Sequence, residues 1–254
     1  MSTSVALVTC SNPPVWEADD KPLIASLESR GLRVSTPSWT EVIDWDAFDA
    51  TIIRTTWDYH LQIESFLRWA QRVPKLHNNI SIIKWNTHKS YLLELHKLGV
   101  AIAPTVWIQL GEVTDISKIM VALNADRGFI KPVIGACASD TFRFNDDQHK
   151  EAQAFLDARR HLEMMVQPYL QRVETEGELS AIYIDGVFTH GVQKIPVQGD
   201  YRVQDDFGAT DHPYTFDDTE LETMKTVLSL VPHSEDLLYA RIDFLRSDDG
   251  QLVL

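Results

Sequence analysis

Phe129-Ile130-Lys131-Pro132 and, about one helix further on, Met165-Val166-Gln167-Pro168-Tyr169-Leu170 decide how this chain is read. The first is an apolar run that ends in a cation. It opens onto Val133-Ile134-Gly135-Ala136-Cys137-Ala138-Ser139-Asp140-Thr141, where small side chains let backbone approach a ligand closely. The second is an apolar strand that stops at a proline and leaves a hinge. Two such strands can wall a pocket whose charged end is Lys131 with its loop and whose flat end is the hinge. That is the shape of a nucleotide site.

Outward from these strands the pattern is mixed. Val5-Ala6-Leu7-Val8-Thr9-Cys10 reads as a buried parallel strand. A helix over residues 20–30 stops at Gly31, and a strand over 49–55 runs into Thr56-Trp57-Asp58-Tyr59-His60. Ile63, Phe66, Leu67, Ala70 and Val73 recur at helical spacing, so a small α/β lobe reaches to about residue 80. Asn86 or Thr87 is expected to cap a helix carrying Leu92, Leu93, Leu95 and Leu98, with Gly99 past its end. Lys89 would then sit in its first turn. Asp115 caps the next helix, and residues 146–160 form another with Ala152, Phe155 and Leu156 inward. Asp185-Gly186 is a strong two-residue hairpin turn between Ala181-Ile182-Tyr183-Ile184 and Val187-Phe188-Thr189-His190. Asp217 and Glu220 form a capping box. A last strand over 239–245 turns at Asp249-Gly250 into Gln251-Leu252-Val253-Leu254. That return strand is shorter than a hairpin usually carries, so the polypeptide is expected to continue past Leu254 or to end in a disordered tail.

Composition narrows the setting. The 254 residues are 44% hydrophobic and 24% charged, as in ordinary globular proteins. No apolar run approaches the roughly 20 residues that cross a bilayer, and the first residues lack the basic and apolar segments of a signal peptide. Cys10 and Cys137 are too few for a disulfide framework, which points to the reducing cytoplasm. The net charge of −14 argues against a phosphate-tracking surface for nucleic acid.

In so acidic a chain the placed cations are informative. Lys89, Lys131, Lys194 in Val192-Gln193-Lys194-Ile195-Pro196, and Arg202 in Asp200-Tyr201-Arg202-Val203 look set for a polyanion. Each alone is explained as well by an ion pair on a sheet face. Together they suit a nucleoside triphosphate, whose roughly four negative charges need fixed cations, backbone N–H groups and magnesium. Neither Gly-x-x-x-x-Gly-Lys-Ser/Thr nor Gly-x-Gly-x-x-Gly occurs.

From residue 50 onward the chain resembles the ATP-grasp carboxylate–amine ligases of the glutathione synthetase-like branch. The matching residues are Asn86-Thr87-His88-Lys89, Gly99-Val100-Ala101-Ile102-Ala103-Pro104-Thr105, the Lys131 strand and its loop, and Gln167-Pro168-Tyr169-Leu170. They continue through Gly177-Glu178-Leu179-Ser180, Lys194-Ile195-Pro196, Tyr201-Arg202-Val203-Gln204 and Ala240-Arg241-Ile242-Asp243. Arg54-Thr55-Thr56-Trp57-Asp58-Tyr59 resembles a narrower subgroup, that of the O-ureido-D-serine cyclo-ligase of D-cycloserine biosynthesis.

The resemblance implies an α/β ATP-grasp fold: an N-terminal α/β domain (residues 1–85), a central lobe (86–166) and a C-terminal lobe (167–254), with ATP held between the two sheet-containing lobes. It implies ATP and magnesium as cofactors. Lys89 and Lys131 would contact the phosphates. Gly135, Ser139 and Thr141 belong to a lid over them, and Gln167, Tyr169 and Leu170 to an adenine hinge that works mostly through backbone. Glu174 or Glu176 would take the ribose, and Glu178 lies near the nucleotide. Lys194 and Arg202 would hold the transferred phosphoryl group, and Asp243 would bind magnesium. The family's remaining magnesium ligands follow the last strand, where this chain stops. Close relatives tend to read Ser-Ala-Gly where this chain has Gly135-Ala136-Cys137, so the lid is expected to be stiffer or to close differently. Cys137 itself is expected to be a small packing residue.

The implied reaction is phosphoryl transfer to a carboxylate, then attack of an amine on the acyl phosphate, and it asks for charge neutralisation rather than a side-chain nucleophile. On the substrate side, Arg54 ends a strand where α/β sheets place ligands and suits a carboxylate. Asp58 suits an ammonium, and Trp57 and Tyr59 could wall the pocket. An Arg54–Asp58 ion pair with Trp57 in the core explains the same residues equally well. The partners implied are a small-molecule carboxylate and amine, with neither nucleic acid nor membrane. Relatives are often homodimers, but no apolar stripe marks a pairing surface. A peptide- or protein-modifying ligase and a nucleotide-binding module without catalysis are the competing readings. The 9 histidines show no metal spacing.

Overall fold

The computed structural model describes residues 2–12 and 20–254. They form two compact units: Met1–Thr87 with Ile184–Val187 and Pro232–Ala240, and His88–Tyr183 with Phe188–Val231 and Arg241–Leu254.

The first unit is built on a four-stranded sheet in the order β2-β1-β3-β4, from Ser4–Thr9 (β1), Arg33–Ser35 (β2), Ala50–Thr55 (β3) and Leu76–His77 (β4). All three pairings are parallel. β1 is buried along its length, as an unbroken apolar run predicts for a central parallel strand. The helices are Lys21–Ser29 (α1), Ile63–Arg72 (α2) and Ile80–Thr87 (α3). Ala6 and Val8 pack with Trp39, Phe66, Ala70 and Ile83, and Trp39 meets Phe66 edge-on at 5.4 Å between centroids.

α3 corrects the sequence reading. Asn86 and Thr87 end this helix instead of capping the next, because Asn79 caps it. The Asn79 Oδ1 accepts from the Ser81 and Ile82 amides at 2.9 and 3.2 Å. The following helix, Tyr91–Lys97 (α4), starts after Ser90. Lys89 therefore lies in the turn between two helices and not in a first helical turn.

The second unit holds two sheets. One has the order β5-β8-β6-β7, from Val106–Ile108 (β5), Arg127–Pro132 (β6), Phe142–Asn145 (β7) and Met164–Pro168 (β8). Ile116–Leu123 (α5) and His149–Asp157 (α6) supply Ile116, Ile119, Met120, Ala152 and Leu156 to a core shared with Ile108, Ile130, Phe144, Met164 and Val166. Gly128 completes it: a Cβ there would stand 2.2 Å from the Phe144 ring. Asp115 caps α5 as expected.

The other sheet has the order β11-β10-β9-β12-β13. Its strands are Glu178–Ile184 (β9), Val187–Ile195 (β10), Thr210–Tyr214 (β11), Tyr239–Arg246 (β12) and Leu252–Val253 (β13). Val173–Glu176 (α7) precedes it, and Asp218–Leu230 (α8) begins with the expected Asp217–Glu220 capping box. Asp185 and Gly186 have φ of 51° and 71°, the paired positive values of a type I′ hairpin. β11 was not legible in the sequence, since it is polar and contains Pro213. It is an edge strand, where proline is tolerated.

Thr51 is fully buried and its hydroxyl has no partner among the described residues. Thr51→Val removes that hydroxyl at nearly constant shape and should raise stability by about 1 kcal/mol, read as a higher denaturant midpoint at unchanged slope.

Candidate active site

Strand alternation makes the site. In β6, Ile130 points into the helix-covered core, so Phe129 and Lys131 point to the opposite face. Antiparallel register sets Gln167 opposite Phe129 and Met165 opposite Lys131, and sets Arg143 of β7 opposite Phe129. One sheet face thus carries Lys131, Phe129, Gln167 and Arg143.

Lys89 and Lys131 are the electrostatic centre. The His88-Lys89-Ser90 turn is stitched in place. The Lys89 amide donates to the Val133 carbonyl at 3.0 Å, and His88 bridges Ser90 Oγ at 2.7 Å and Glu163 at 3.1 Å. The Lys89 Nζ donates to the Gly135 carbonyl at 2.9 Å. Neither lysine is among the ion-paired cations of the described residues. Burial lowers the Lys131 ammonium to about 8, against the pull of Glu178. Burial and the charge of Lys131 lower Lys89 to about 8.

The second sheet presents a paired set. Lys194 Nζ lies 2.9 Å from Glu178. Asp243 accepts from Ser180 Oγ at 2.6 Å and from the Arg241 Nε and Nη2 at 2.8 and 2.9 Å. Burial, then the charge of Asp243, raises Glu178 above the usual carboxylate range, despite Lys194 and Arg241. Burial also pushes Asp243 up, but Arg241 and Lys194, with the hydrogen bonds from Arg241 and Ser180, hold it below that range. Gly177 fixes where this set begins. Its φ of 66° and ψ of −160° are open essentially to glycine alone, and a Cβ would stand 2.0 Å from the Lys194 carbonyl.

At the hinge, Tyr169, Val173 and Val203 are buried together, with Phe129, Tyr201 and Leu245 packed against them. The Tyr169 hydroxyl donates to Glu174 at 2.7 Å and accepts from Arg143 at 3.3 Å. Arg143 also reaches Glu174 at 3.1 Å. Burial and the bond to Glu174 push the Tyr169 phenol up to about 12. The Tyr169 amide donates to the Arg127 carbonyl at 2.9 Å, and the Gln167 side chain donates to Thr105 at 2.9 Å. Leu170 follows directly, and its carbonyl accepts from Val173 at 3.2 Å.

The loop over 135–141 is short of room. Gly135 sits against Pro132, which a Cβ would meet at 2.7 Å. Cys137, Ala138 and Asp140 are left-handed, with φ of 53°, 52° and 54°, a conformation that costs non-glycine residues about 1 kcal/mol or more each. The Ser139 amide donates to the Ala136 carbonyl at 3.0 Å, and Thr141 Oγ1 donates to the Ala138 carbonyl at 2.9 Å. Cys137 is exposed, which corrects the expectation of a packing role: a left-handed turn carries its side chain outward.

Arg202 lies outside regular structure, beyond β10. It is gripped by Asp200 at 2.6 and 3.1 Å and stacks on Phe207 at 3.8 Å. In the first unit, Arg54 pairs with Asp20 at 2.6 Å and lies over the Tyr239 ring at 5.3 Å. Asp58 accepts from the Trp39 indole at 2.6 Å and from Ser11 Oγ at 3.2 Å. The Arg54–Asp58 pair weighed from sequence does not form, since each has another partner. Trp57 and Tyr59 are half-buried beside Asp58, and Tyr59 packs on Phe66 at 5.5 Å.

The site also contains Arg143, Tyr201 and Arg241, which sequence reasoning passed over. Alternation in Phe142-Arg143-Phe144 and Arg241-Ile242-Asp243 was the available signal. His233, Glu235 and Asp236 do bring possible ligand atoms within 4.8 Å of one another, contrary to the reading of the histidines, but all three are exposed. Magnesium takes hard oxygen donors, with one or two carboxylates sufficing. Asp243 and Glu178 fit: they are half-buried oxygen donors whose mutual repulsion a cation relieves. No helix among the described residues is long and apolar enough to cross a membrane.

The whole chain overlays proteins of one class. The ATP-grasp ligase PsnB matches with a TM-score of 0.64 at 15% identity, over 100% of this chain and 89% of that one. D-alanyl-alanine synthetase A from Vibrio cholerae matches with a TM-score of 0.72 at 16% identity, over 100% and 87%. The fold is the ATP-grasp fold that these ligases share. The chain is also similar to D-cycloserine synthetase DcsG. That crystal structure matches with a TM-score of 0.86 at 23% identity, over 98% of this chain and 89% of that one. Residues 5–80 match the family described as the N-terminal domain of D-cycloserine synthetase DcsG. The cycloserine biosynthesis protein DcsG of Streptomyces lavendulae is 26% identical over 201 residues, 75% of this chain and 67% of that protein.

The lysine pair makes ligand binding pH-dependent. Ligand-free, Lys89 and Lys131 release protons near 8 rather than 10.5. Between those values the unfolded chain binds more protons, so this pair's burden on stability is full below pH 8 and lifts as pH rises. A bound polyphosphate restores both protons. Titration with a nucleotide at about pH 8.5, in buffers of different ionisation enthalpy, should show net proton uptake and an affinity that falls as pH rises. Binding without proton uptake would place the anion elsewhere.

Proposed function

We propose that the chain is an ATP-dependent ligase that activates a carboxylate of an amino-acid-like small molecule as an acyl phosphate and joins it to an amine. An intramolecular amine would make it a cyclo-ligase. The observation that carries this reading is the half-buried Lys89–Lys131 pair, outside the ion pairs of the described residues, with Lys131 on the sheet face that also carries Phe129 and Gln167. The similarity to DcsG supports a small substrate.

In this reading residues 86–166 and 167–254 are the two nucleotide-holding lobes, and residues 1–85 serve the substrate. Lys89 and Lys131 hold the phosphates, and the backbone of the loop from Gly135 through Ser139 to Thr141 covers them. Gln167, Tyr169 and Leu170 receive the base. With the Tyr169 amide spent on Arg127, the Leu170 amide is the donor left for it at this end. Glu174, fixed by Arg143 and Tyr169, accepts from the ribose hydroxyls. Asp243 and Glu178 would hold magnesium, which supplies charge neutralisation at the phosphates.

The rest follows from the chain's own cations. Lys194 and Arg202 stabilise the charge that develops on the transferred phosphoryl group, and Arg241 adds a further cation beside Asp243. The γ-phosphoryl passes to the carboxylate oxygen with ADP leaving. The amine then attacks the acyl carbon, loses a proton and expels inorganic phosphate. Arg54 orients a substrate carboxylate once Asp20 shares its guanidinium, and Asp58 receives an ammonium beside Trp57 and Tyr59.

Lys131→Ala should weaken ATP binding at least tenfold, about 1.4 kcal/mol or more, by calorimetry. An unchanged affinity sinks the site. Arg202→Ala should lower turnover more than it weakens ATP, and equal losses would deny it the transferred group. Magnesium-dependent ADP release over a panel of amino acids and dipeptides identifies the substrate. Tight ATP binding with no release across the panel would favour a binding module.

A further inference from the structure

Tyr201 joins three parts of the site. Its ring stands edge-on to Phe129 at 5.1 Å and to Tyr169 at 6.3 Å, and Arg143 lies over it at 5.5 Å. Its hydroxyl is 3.1 Å from Thr141 Oγ1, the last residue of the small-residue loop. Its amide donates to Asp200 Oδ1 at 2.7 Å, which fixes the backbone that carries the ring. The loop's first residue is held by Lys89, through the Gly135 carbonyl at 2.9 Å. The loop therefore spans two tethers, one on the lysine pair and one on Tyr201.

These tethers differ in what a ligand does to them. An anion on Lys89 competes for the ammonium that holds Gly135. The Tyr201 hydroxyl sits on a ring packed at the hinge, so it can keep its hold while the other end exchanges partners. Between them, Cys137, Ala138 and Asp140 lie in left-handed backbone, which a chain without glycine there adopts only under restraint. Asp140 is also gripped by Arg159 at 2.9 Å, but that contact faces α6 and not the hinge.

We infer that Tyr201 is a positioning residue: through its hydroxyl it holds Thr141, and with it the loop over 135–141, in register with the Phe129–Tyr169 hinge. It touches no reacting atom. Its role is to keep the loop's backbone N–H groups where the phosphates arrive, so its loss acts on nucleotide capture more than on chemistry. The consequence for ATP rests on the nucleotide reading above, whereas the tether itself does not.

Tyr201→Phe keeps the ring and removes the hydroxyl. By hydrogen exchange on the nucleotide-free protein, amides of residues 136–141 should exchange about fivefold faster than in the wild type. Elsewhere exchange should be unchanged, which separates a lost tether from misfolding. The KM for ATP should rise by a larger factor than kcat falls. Thr141→Val removes the same bond from the other side, along with the Thr141 bond to Ala138. Adding Tyr201→Phe to it should therefore bring no further acceleration. Unchanged loop exchange in Tyr201→Phe, or additive effects in the double variant, overturns the inference. Faster loop exchange in a protein that binds no ATP would leave the tether standing and remove the nucleotide reading.

Discussion

Two neighbouring half-buried lysines, neither in an ion pair among the described residues, are the constraint around which the second unit is arranged. An ammonium taken out of water is expensive unless it is paired; the charge of Lys131 depresses that of Lys89 further, while Glu178 offsets part of the cost at Lys131. The chain bears this cost at two positions, only one of which, Lys89, has a structural hydrogen bond among the described residues to show for it, to the Gly135 carbonyl. Its turns and strands are instead fitted to keep the pair in place. The Lys89 turn is sewn to Val133 and, through His88, to Glu163. Lys131 is fixed by a strand whose opposite face is locked into the core by Ile130 and the Phe144 ring filling the space above Gly128. Rigidity of this kind holds the two charges in register for a ligand that carries the opposite charge.

The neighbouring cations show the contrast. Lys194 leans on Glu178, Arg202 on Asp200, Arg241 on Asp243, and Arg143 on Glu174. Each of these pairs is compensated before any ligand arrives. A polyanion entering the site thus gains most from Lys89 and Lys131. The paired cations have charge to offer only as their carboxylates turn to other partners, magnesium among them for Asp243 and Glu178. A strongly acidic chain can still attract an anion at this place, because the attraction is local to the two lysines that no carboxylate pairs among the described residues.

Much of this was legible in the sequence wherever one strand or one turn decided it. The buried run of β1, the Asp185-Gly186 hairpin, the Asp217–Glu220 capping box and the Lys131 strand each follow from local pattern. The start of α3 did not, because the capping side chain of Asn79 lay outside the window where a cap was sought. β11 was hidden by Pro213, which excludes a central strand but not an edge. Arg54 meeting Asp20, and Asp58 meeting Trp39, join residues far apart in sequence, and no periodicity encodes such partners. Arg143 and Arg241 were within reach, since each alternates with residues already assigned to the opposite face.

The loop over 135–141 shows where sequence and conformation pull apart. Small side chains there leave the backbone accessible, and the Lys89 ammonium reaches the Gly135 carbonyl at 2.9 Å. Yet the three left-handed residues are Cys137, Ala138 and Asp140, each of which has a Cβ to accommodate. A glycine at 137, as in the pattern this chain resembles, would be at ease. Cysteine is not, so the loop's geometry has to be imposed from its ends. That shifts the burden to the tethers: Lys89 at one end, and Tyr201 with Arg159 at the other. A loop that is intrinsically permissive can close by itself around a ligand, whereas a loop held in a costly conformation closes as far as its anchors direct. In this chain the anchors are Lys89 and Tyr201, so the state of the loop is coupled to the lysine pair at one end and to the Phe129–Tyr169 cluster at the other.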